Sequence, residues 1–421
     1  MAREEPEPRM LRMVFVLAGC APGGPPMADL VMVGAGPQAL ALSCLLLQKR
    51  SRLQRRLRIV DPSGRWLSRW QRQMERYEIP WLRSPSPHHP HPSAHALRRF
   101  AHNQQRHRQL EGRYGLPHTD LFAAFCREVI NEFALEERVQ AASVEHISLP
   151  ANGKDPLELS LSDGTTLQAG RVVIATGNGT PQWPTWIKAI AGKDPEDALQ
   201  HSDAIDLPAL RLRPGERILI VGGGLTSAHL SLGALRRGAQ VQLLCRRGLK
   251  QKPFDADPGW LGPKYLKSFH AEPCMHRRRR LVLEARDGGS ITPEAGAELR
   301  EAQRRGELQL HEHCEVQAAY WNSGEWDIVC GGGQRLSADR IWLATGHQQG
   351  VSQHPLLQQL YQQHPIELVD DWPVLGPDLS WPGTPVHLMG GLSALQIGPA
   401  ARNLFGGREA AQRICRAVIK H

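Results

Sequence analysis

The 421-residue sequence predicts an α/β fold made of two similar parallel-sheet units, and three observations support this prediction. Two apolar strands, beginning near Asp29 and Arg217, each run into a glycine-rich turn and then into a helix-like apolar segment. A second internal repeat, at 159–177 and 328–346, lies downstream of each of these segments. The composition, with 41% apolar and 22% charged residues, is sufficient for packed cores and excludes a wholly disordered chain.

The first glycine turn reads GAGPQA and spans 34–39, between a strand and a helix. Gly34 permits a tight turn, Gly36 lets the backbone approach a pyrophosphate, and Ala39 lets the helix pack closely on the strand. The next strand ends in Asp61, where a carboxylate would accept the ribose hydroxyls of a dinucleotide. The pattern predicts a dinucleotide-binding βαβ unit.

The same pattern returns as GGGLTS, from Gly222 to Ser227, with Gly224 in the middle of the turn. Here the following strand does not end in an acid, and Arg246 and Arg247 come next. Cationic side chains at this position suit the 2′-phosphate of NADP and leave nothing to bind the free hydroxyl of NAD. The second turn therefore predicts an NADPH site.

Residues 159–177 and 328–346 align without a gap. Each segment is typical of a β-hairpin with a glycine turn, followed by a buried strand that ends in Ala-Thr-Gly. Parallel sheets bind ligands at the carboxyl ends of their strands, so we expect these strand ends beside bound dinucleotides. The residues concerned are Thr176, Gly177, Thr345 and Gly346.

This arrangement resembles the flavoproteins with two dinucleotide-binding domains, in which a first Rossmann domain binds FAD and an inserted second one binds NAD(P)H. The resemblance implies an FAD-binding domain over 27–210 and 340–417, interrupted by an NADPH-binding domain over 211–339. Residues 1–26 are expected to be a leader that is disordered or begins at a wrong start codon, with a lipoprotein-like signal as the alternative.

The C-terminal segment fits the same resemblance. A strand leads into a turn at Gly391, and Gly398 precedes the last helix. In such flavoproteins the N-terminus of that helix points at the flavin, where its partial positive charge would stabilise the reduced, anionic form. Gly391 and Gly398 are therefore expected beside FAD, and an ordinary capped terminal helix is the alternative interpretation.

The eight cysteines lie far apart and form no CxxC pair, so a dithiol relay is not expected.

The segment that holds Met74 and Arg83 resembles the near-flavin segment of the N-hydroxylating (ornithine/lysine) flavin monooxygenases. His201-Ser202 resembles a motif of the class B flavin monooxygenases. The Ala-Thr-Gly before His347 resembles another, in which a Tyr stands at the position of His347. Met74, Arg83 and His347 are thus substrate or near-flavin candidates; Arg83 would bind a substrate carboxylate or form a surface salt bridge.

The resemblance implies that NADPH reduces FAD and that O₂ forms a C4a-hydroperoxyflavin, which oxidises a nucleophilic N or S of a small substrate. The family's substrate-binding Asn is not evident in 254–263, so the substrate stays open. Two alternatives remain. One is a reductase that passes electrons to a quinone-like acceptor without oxygenation, and the other is a flavin-binding sensor or interaction protein with a degenerate pocket.

The formal charge of +9 suits polyanionic dinucleotides, and with two such motifs present no nucleic-acid partner is expected. No run of about 18 apolar residues occurs, so no membrane span is predicted. Scattered cysteines favour a reducing, cytoplasmic location. A histidine tract over 88–95 contains prolines that prevent helical ligand spacing, and no metal is expected. The oligomeric state is not predicted.

Overall fold

The computed structural model describes residues 27–150, 155–177, 179–190, 195 and 197–420. The leader predicted from the sequence lies outside these ranges. The described residues form a mixed α/β fold, as expected. The α-helices are α1 Pro37–Lys49, α2 Ser68–Arg76, α3 Ala96–Asn103, α4 Thr119–Glu132, α5 Leu225–Leu235, α6 Pro263–Ala271, α7 Met275–Arg286, α8 Pro293–Arg304, α9 Pro355–Gln363, α10 Ala394–Ile397 and α11 Leu404–Lys420.

The strands fall into two five-stranded sheets and several smaller ones. They are β1 Met27–Ala28, β2 Leu30–Val33, β3 Leu57–Asp61, β4 Leu110–Glu111, β5 Leu116–Pro117, β6 Val139–Ala141, β7 Val144–Ser148, β8 Leu157–Leu161, β9 Thr166–Ala169, β10 Val172–Ile174, β11 Thr180–Pro181, β12 Leu199–His201, β13 Arg217–Val221, β14 Gln240–Cys245, β15 Leu308–Glu312, β16 Val316–Asn322, β17 Glu325–Cys330, β18 Arg335–Ala338, β19 Arg340–Leu343, β20 His347–Gln348, β21 Leu368–Val369, β22 Trp372–Pro373 and β23 Val386–Leu388.

The first sheet has the strand order β23-β10-β2-β3-β6, and all its pairs are parallel. In register, Val172 lies between Val31 and Val386. The central strands β2 and β10 are buried along their whole length, which explains their continuous apolar sequence. A strand near the C-terminus therefore completes a sheet that starts at the N-terminal end of the described chain.

The second sheet has the strand order β12-β19-β13-β14-β15 and is also parallel. All its strands come from the chain between β10 and β23, so the second sheet is inserted into the first in sequence. Alternate residues of β13 enter cores on opposite faces. Ile218 and Ile220 pack on the face that α5 covers, and Leu219 packs with Trp326 on the other.

The internal repeat forms two equivalent hairpins. β8 pairs antiparallel with β9, and β17 pairs antiparallel with β18. The turn glycines have matching left-handed backbones, with φ of +79° at Gly164 and +80° at Gly333. Each hairpin is followed by a strand of one of the two parallel sheets, β10 or β19. The prediction of a hairpin and buried strand in each copy is confirmed.

Ion pairs join the two sheet units. Glu78, just after α2, accepts hydrogen bonds from Arg237 at 2.7 Å and Arg236 at 2.8 Å, at the end of α5. These bonds lower the pKa of the Glu78 carboxyl to about 2. Arg76 donates to the backbone carbonyl of Asp203 at 2.9 Å. The end of α2 is thus fixed to the inserted unit at two points.

Among the described helices, none combines the length and the apolar character that crossing a bilayer requires.

Candidate functional site

The first glycine turn lies directly against the Ala-Thr-Gly strand end. Gly34 has φ of +102°, and a Cβ there would stand 2.7 Å from the carbonyl oxygen of Ala175. A side chain is excluded by this contact and by the backbone conformation. The glycine therefore brings the turn between β2 and α1 against Ala175. The next residue, Thr176, is one that the sequence predicted to lie beside the ligand.

Gly36 faces open space, since a Cβ there would meet no atom within 4 Å. It is the N-cap of α1, makes no side-chain capping bond, and precedes a first turn that contains no acid. The backbone N–H groups at this helix start therefore have no side-chain acceptor, and the helix dipole adds positive potential. The first turn is a site that fits an anion such as a pyrophosphate.

Asp61 connects the end of β3 to the glycine turn. Its Oδ2 accepts the backbone N–H of Ala35 at 3.0 Å, and its Oδ1 accepts the backbone N–H of Ser63 at 2.9 Å. The Ser63 hydroxyl donates to the same Oδ1 at 2.6 Å. The carboxylate also lines the adjoining cavities, so it holds the turn and remains open to a ligand.

Two adjoining cavities of about 410 and 680 Å³ border this turn. They share part of their lining, so together they form one elongated cleft along the carboxyl end of the first sheet. Each cavity alone is in the size range of small-molecule sites. The shared residues are Gly34, Asp61, Ser68, Arg69, Gln73 and Thr176.

The second glycine turn repeats the geometry of the first. Gly222 has φ of +152°, and a Cβ there would stand 2.4 Å from the carbonyl oxygen of Ala344. Gly224 faces open space and is the N-cap of α5, again without a side-chain capping bond. Ser227, predicted to contact NADPH, is fully buried and donates to the Gly224 carbonyl at 2.7 Å. Its hydroxyl therefore stabilises the helix start.

The end of the second strand differs between the two units. In β14 the position of Asp61 is taken by Cys245, a buried residue whose Sγ lies 3.3 Å from the carbonyl oxygen of Gly222. Burial raises the pKa of this thiol to about 12, so it stays neutral. Arg246 and Arg247 follow and are exposed.

Each of the two arginines has one acidic partner, at close to the longest distance at which an ion pair forms. Arg246 lies 3.9 Å from Glu315, and Arg247 lies 3.8 Å from Asp287. Asp287 is also bound by Lys250 at 2.5 Å, which lowers the pKa of its carboxyl. The positive charge here exceeds what these acids neutralise, as a phosphate site requires.

The two Thr-Gly strand ends have matching backbones. Gly177 and Gly346 have φ of +87° and +84°. The Thr176 hydroxyl lies 2.8 Å from Nε2 of His354, whereas the Thr345 hydroxyl donates to the carbonyl of Gln182 at 2.5 Å. Thr176 and Gly177 line the first cavity, as expected for residues beside a ligand.

Of the near-flavin candidates, Met74 and Arg83 both line the first cavity, and Arg83 forms a salt bridge with Asp255, the alternative to a substrate carboxylate, although a largely buried one. Arg83 reaches the cavity wall, but its side chain is only 10% exposed and all five of its N–H groups have protein acceptors. It therefore has no donor left for a substrate carboxylate. The acceptors are the carbonyls of Lys252, Pro253, Phe254 and Ser290, the Ser290 hydroxyl and the Asp255 carboxylate.

His347 is not among the residues that line these two cavities, and its assignment as a near-flavin residue stays a prediction. Its Nε2 lies 2.8 Å from Oδ2 of Asp203, and this bond lowers the pKa of the Asp203 carboxyl. Nε2 of His201 lies 3.1 Å from the carbonyl oxygen of Gly346, and its Nδ1 accepts the Asp203 N–H at 3.3 Å. These residues tie together the two chain segments that connect the sheets.

The C-terminal segment differs in detail from the prediction. The helix begins at Leu404, after a short 3₁₀ turn over 399–402, and Leu404 lines the first cavity. Gly391 lines it too, with Gln349 packed so closely that a Cβ would stand 1.9 Å from its Oε1. Gly398 has φ of +98° and is not a lining residue, so its requirement is conformational.

Several lining residues were not predicted. Gln38 belongs to the first glycine turn, and Arg69, Trp70 and Gln73 belong to the helix that holds Met74, but no pattern singled these side chains out, and their proximity in the fold reveals them. They are Gln38, Arg69, Trp70, Gln73, Asp255, Gln349, Arg402 and Asn403.

The comparisons with known proteins agree with this fold. Residues 92–360 match the family model described as pyridine nucleotide-disulphide oxidoreductase. No curated protein sequence matches the chain. The family name refers to a disulphide, whereas the cysteines of the described residues are all free.

Solved structures show the same fold at low identity. The ornithine hydroxylase of Pseudomonas aeruginosa is 19% identical, with a TM-score of 0.74 over 94% of this chain and 99% of that one. An ornithine N-hydroxylase of Kutzneria sp. 744, solved with reduced FAD, NADP⁺ and L-ornithine, is 16% identical, with a TM-score of 0.77 over 94% and 99%.

The FAD-bound cadaverine monooxygenase of Erwinia amylovora is 17% identical, with a TM-score of 0.75 over 94% of this chain and 95% of that one. The resemblance to the N-hydroxylating flavin monooxygenases that the motifs predicted is thereby confirmed for the fold. Because the family model matches more than half of the sequence, the chain belongs to the pyridine nucleotide-disulphide oxidoreductase family, whose members are FAD- and NAD(P)H-dependent oxidoreductases.

Proposed function

We propose that the chain is an FAD-dependent, NADPH-consuming monooxygenase that oxidises a nucleophilic N or S atom of a small substrate. FAD would bind along the cleft of the first sheet, and NADPH at the turn of the inserted sheet. The observation that supports this most is the repetition of one open, uncapped glycine turn in both sheets, at Gly36 and at Gly224, each beside an Ala-Thr-Gly strand end.

The residues of the first cleft fit FAD. The open turn at Gly36 offers backbone N–H groups to a pyrophosphate, and Asp61 offers carboxylate oxygens to ribose hydroxyls. The lining of the first cavity includes the apolar side chains of Trp70, Met74 and Leu82, which suit a flat aromatic ring. When bound there, the flavin would supply hydride acceptance from NADPH and activation of O₂.

The residues of the second turn fit NADPH in preference to NADH. The helix start at Gly224 suits the pyrophosphate, and Arg246 and Arg247 suit a 2′-phosphate. The buried thiol of Cys245 replaces the acid that would bind the ribose hydroxyls of NAD. The two units thus differ at the end of their second strand. An acid there suits the free ribose hydroxyls of FAD, and arginines there suit the 2′-phosphate of NADPH.

The chain's own contribution to the reaction is positioning and exclusion of water. Arg83 holds the loop over 252–255 of the inserted unit against the cleft wall. Asp255, in that loop, lines the cleft together with Leu82. Residues from both units thus line the cavity, and we infer that they help the reacting groups of two cofactors and a substrate to meet out of water.

The structural relatives suggest an amine as the substrate. By their printed names, they act on ornithine, on cadaverine or on lysine. A balanced reaction for such a substrate consumes NADPH, a proton and O₂, and yields NADP⁺, water and the hydroxylated amine. The amine nitrogen must be unprotonated to act as the nucleophile, so the rate should rise with pH towards the pKa of the bound amine.

The test supplies FAD-loaded protein with NADPH, isotopically labelled O₂ and a panel of small amines and thioethers. Mass spectrometry follows the products, and peroxide formation and NADPH consumption are measured in parallel. The proposal predicts one labelled oxygen atom in the product for each NADPH consumed with a good substrate. NADPH consumption that depends on an added quinone and leaves no labelled product would instead establish the reductase.

A further inference from the structure

Three side chains of metal-binding type meet where the two segments that connect the sheets lie side by side. His201 ends β12, Asp203 follows it, and His347 begins β20, which pairs with β11. One ligand atom from each of the three residues lies within 4.8 Å of the other two. Within the part of the chain that the structure describes, no other group of three His, Cys, Asp or Glu side chains comes so close together.

The distances among these side chains are close to those between the ligands of one metal ion. Nε2 of His347 lies 2.8 Å from Oδ2 of Asp203, and Nδ1 of His201 lies 3.8 Å from Oδ1 of the same carboxylate. In a tetrahedral site with bonds of about 2.1 Å, two ligand atoms lie about 3.4 Å apart. Small movements of the side chains would therefore allow all three to bind one ion.

His201 is held in the orientation of a metal-binding histidine. Its side chain is only 3% exposed, and its Nε2 lies 3.1 Å from the backbone carbonyl oxygen of Gly346. Because a carbonyl only accepts hydrogen bonds, Nε2 carries the hydrogen and Nδ1 carries the lone pair. Metal-binding histidines generally donate their second N–H in this way. Nδ1 accepts the Asp203 N–H at 3.3 Å, a long bond that an ion would replace.

The cluster is sheltered and still accessible. The rings of Trp183 and His347 pack against His201, with ring centres 5.8 and 5.5 Å away. Asp203 is 37% exposed and lines the second cavity, so an ion can reach the cluster from there. The nearby charge of Arg69, which helps to lower the pKa of the Asp203 carboxyl, opposes a cation, so its binding depends on all three ligands.

We propose that His201, Asp203 and His347 form a binding site for a divalent transition metal ion, and that Zn²⁺ suits it best. Two imidazole nitrogens and a carboxylate oxygen are typical zinc ligands, and three protein ligands leave a fourth position open to water. The ion would cross-link the two connecting segments and so fix the inserted unit relative to the first sheet. This inference goes beyond the proposed function and does not depend on it.

The test titrates the full-length protein, as purified and then treated with a chelator, with Zn²⁺. Calorimetry measures the affinity and the stoichiometry, and we expect one Zn²⁺ per chain with a Kd in the micromolar range or below. Zn²⁺ at ~100 times its Kd should raise Tm by about 3 °C, because it binds the folded protein. Co²⁺ in place of Zn²⁺ should add absorbance bands of a tetrahedral site, at longer wavelengths than those of flavin.

Two variants remove one ligand each and keep a side chain of similar size. Asp203→Asn and His347→Gln should each weaken Zn²⁺ binding by ~100-fold or more, since losing the outer partner of a ligand already costs about 10–100-fold. Circular dichroism checks that they are folded, and the use of two positions allows for the failure of one. His95→Ala is the control, because His95 is an exposed member of the histidine tract over 88–95, and it should bind Zn²⁺ like the wild type.

Three results would overturn the proposal. The first is wild-type protein that binds Zn²⁺ only in the millimolar range or not at all. The second is an unchanged affinity in the folded ligand variants. The third is loss of binding from His95→Ala, which would place the ion on the histidine tract instead.

Discussion

The first and second glycine turns have nearly the same backbone and different surroundings. At both turns a left-handed glycine touches the Ala-Thr-Gly strand end, and a second glycine opens the helix N-terminus. The first turn is tied to Asp61 and borders a long cleft, whereas the second is tied to Cys245 and is followed by exposed arginines. The same backbone conformation can therefore bind two different dinucleotides. The side chains at and after the end of the second strand determine which dinucleotide each turn binds.

The largest expected effect comes from placing a side chain in the open space of one glycine turn at a time. Gly36→Val should weaken FAD binding by ~100-fold or more, since several charge-assisted contacts of about 1.5–3 kcal/mol each would be lost. Gly224→Val should leave FAD bound and weaken NADPH to a similar extent. Flavin content after gel filtration and NADPH titration of the flavin spectrum measure the two effects.

The fold should tolerate both substitutions, because the added Cβ meets no protein atom at either position. Gly262→Val is a matched control, since Gly262 also has an open Cβ direction and lies outside both cavities. Loss of both cofactors from each turn variant, or loss of FAD from the control, would contradict the division between the units.

Arg83→Gln tests the contact between the units. The arginine satisfies four carbonyls, a hydroxyl and Asp255 while only 10% exposed, so we expect its loss to destabilise the protein by about 3 kcal/mol. Urea unfolding of FAD-loaded protein, followed by flavin fluorescence, measures the change. If Arg83 instead bound substrate, the variant would keep its unfolding midpoint and show a raised KM.

Arg246→Ala should sharpen the difference at the second strand. The loss of one charge-assisted contact to the 2′-phosphate is expected to weaken NADPH by ~10-fold and to change NADH binding little. Initial rates of flavin reduction over a range of each nucleotide give the two affinities. Equal losses for NADPH and NADH would refute the 2′-phosphate assignment.

The smallest expected effect is at the ion pair between α2 and α5. Glu78 has a lowered pKa in the folded protein, so its contribution to stability is present above the usual carboxyl pKa and is lost as the pH falls towards about 2. At neutral pH, Glu78→Gln should lower Tm by ~1–2 °C, as for a partly exposed pair that solvent still screens. The difference from the wild type should shrink between pH 4.5 and 2. A constant difference across this range would contradict the ionic origin.

The sequence was sufficient for features that are local in the chain. Gly34 and Gly222 were predictable because strand, turn and helix follow one another, and the repeated hairpins were visible as an alignment of the chain with itself. The inserted order of the sheets followed from a resemblance and could not be derived from periodicity.

The side chains whose partners the sequence did not predict depend on contacts between distant segments. The acceptors of Arg83 lie 169 or more residues further along the chain, and nothing near Arg83 indicates them. The partner of His347 is 144 residues away, at Asp203. Arg402 lines the cleft because Gln38 and Gln349 position its backbone and side chain, which no local pattern predicts. Such side chains acquire their roles from tertiary packing alone.

The proposed function requires that NADPH bound at the second turn reduces FAD bound at the first, and that the reduced flavin then activates O₂. Stopped-flow absorbance follows both steps. FAD-loaded protein is reduced with NADPH without air and then mixed with O₂. We expect rapid bleaching of the flavin, followed by a transient absorbance band before the oxidised spectrum returns. Absence of bleaching, or direct reoxidation with no transient band, would contradict it.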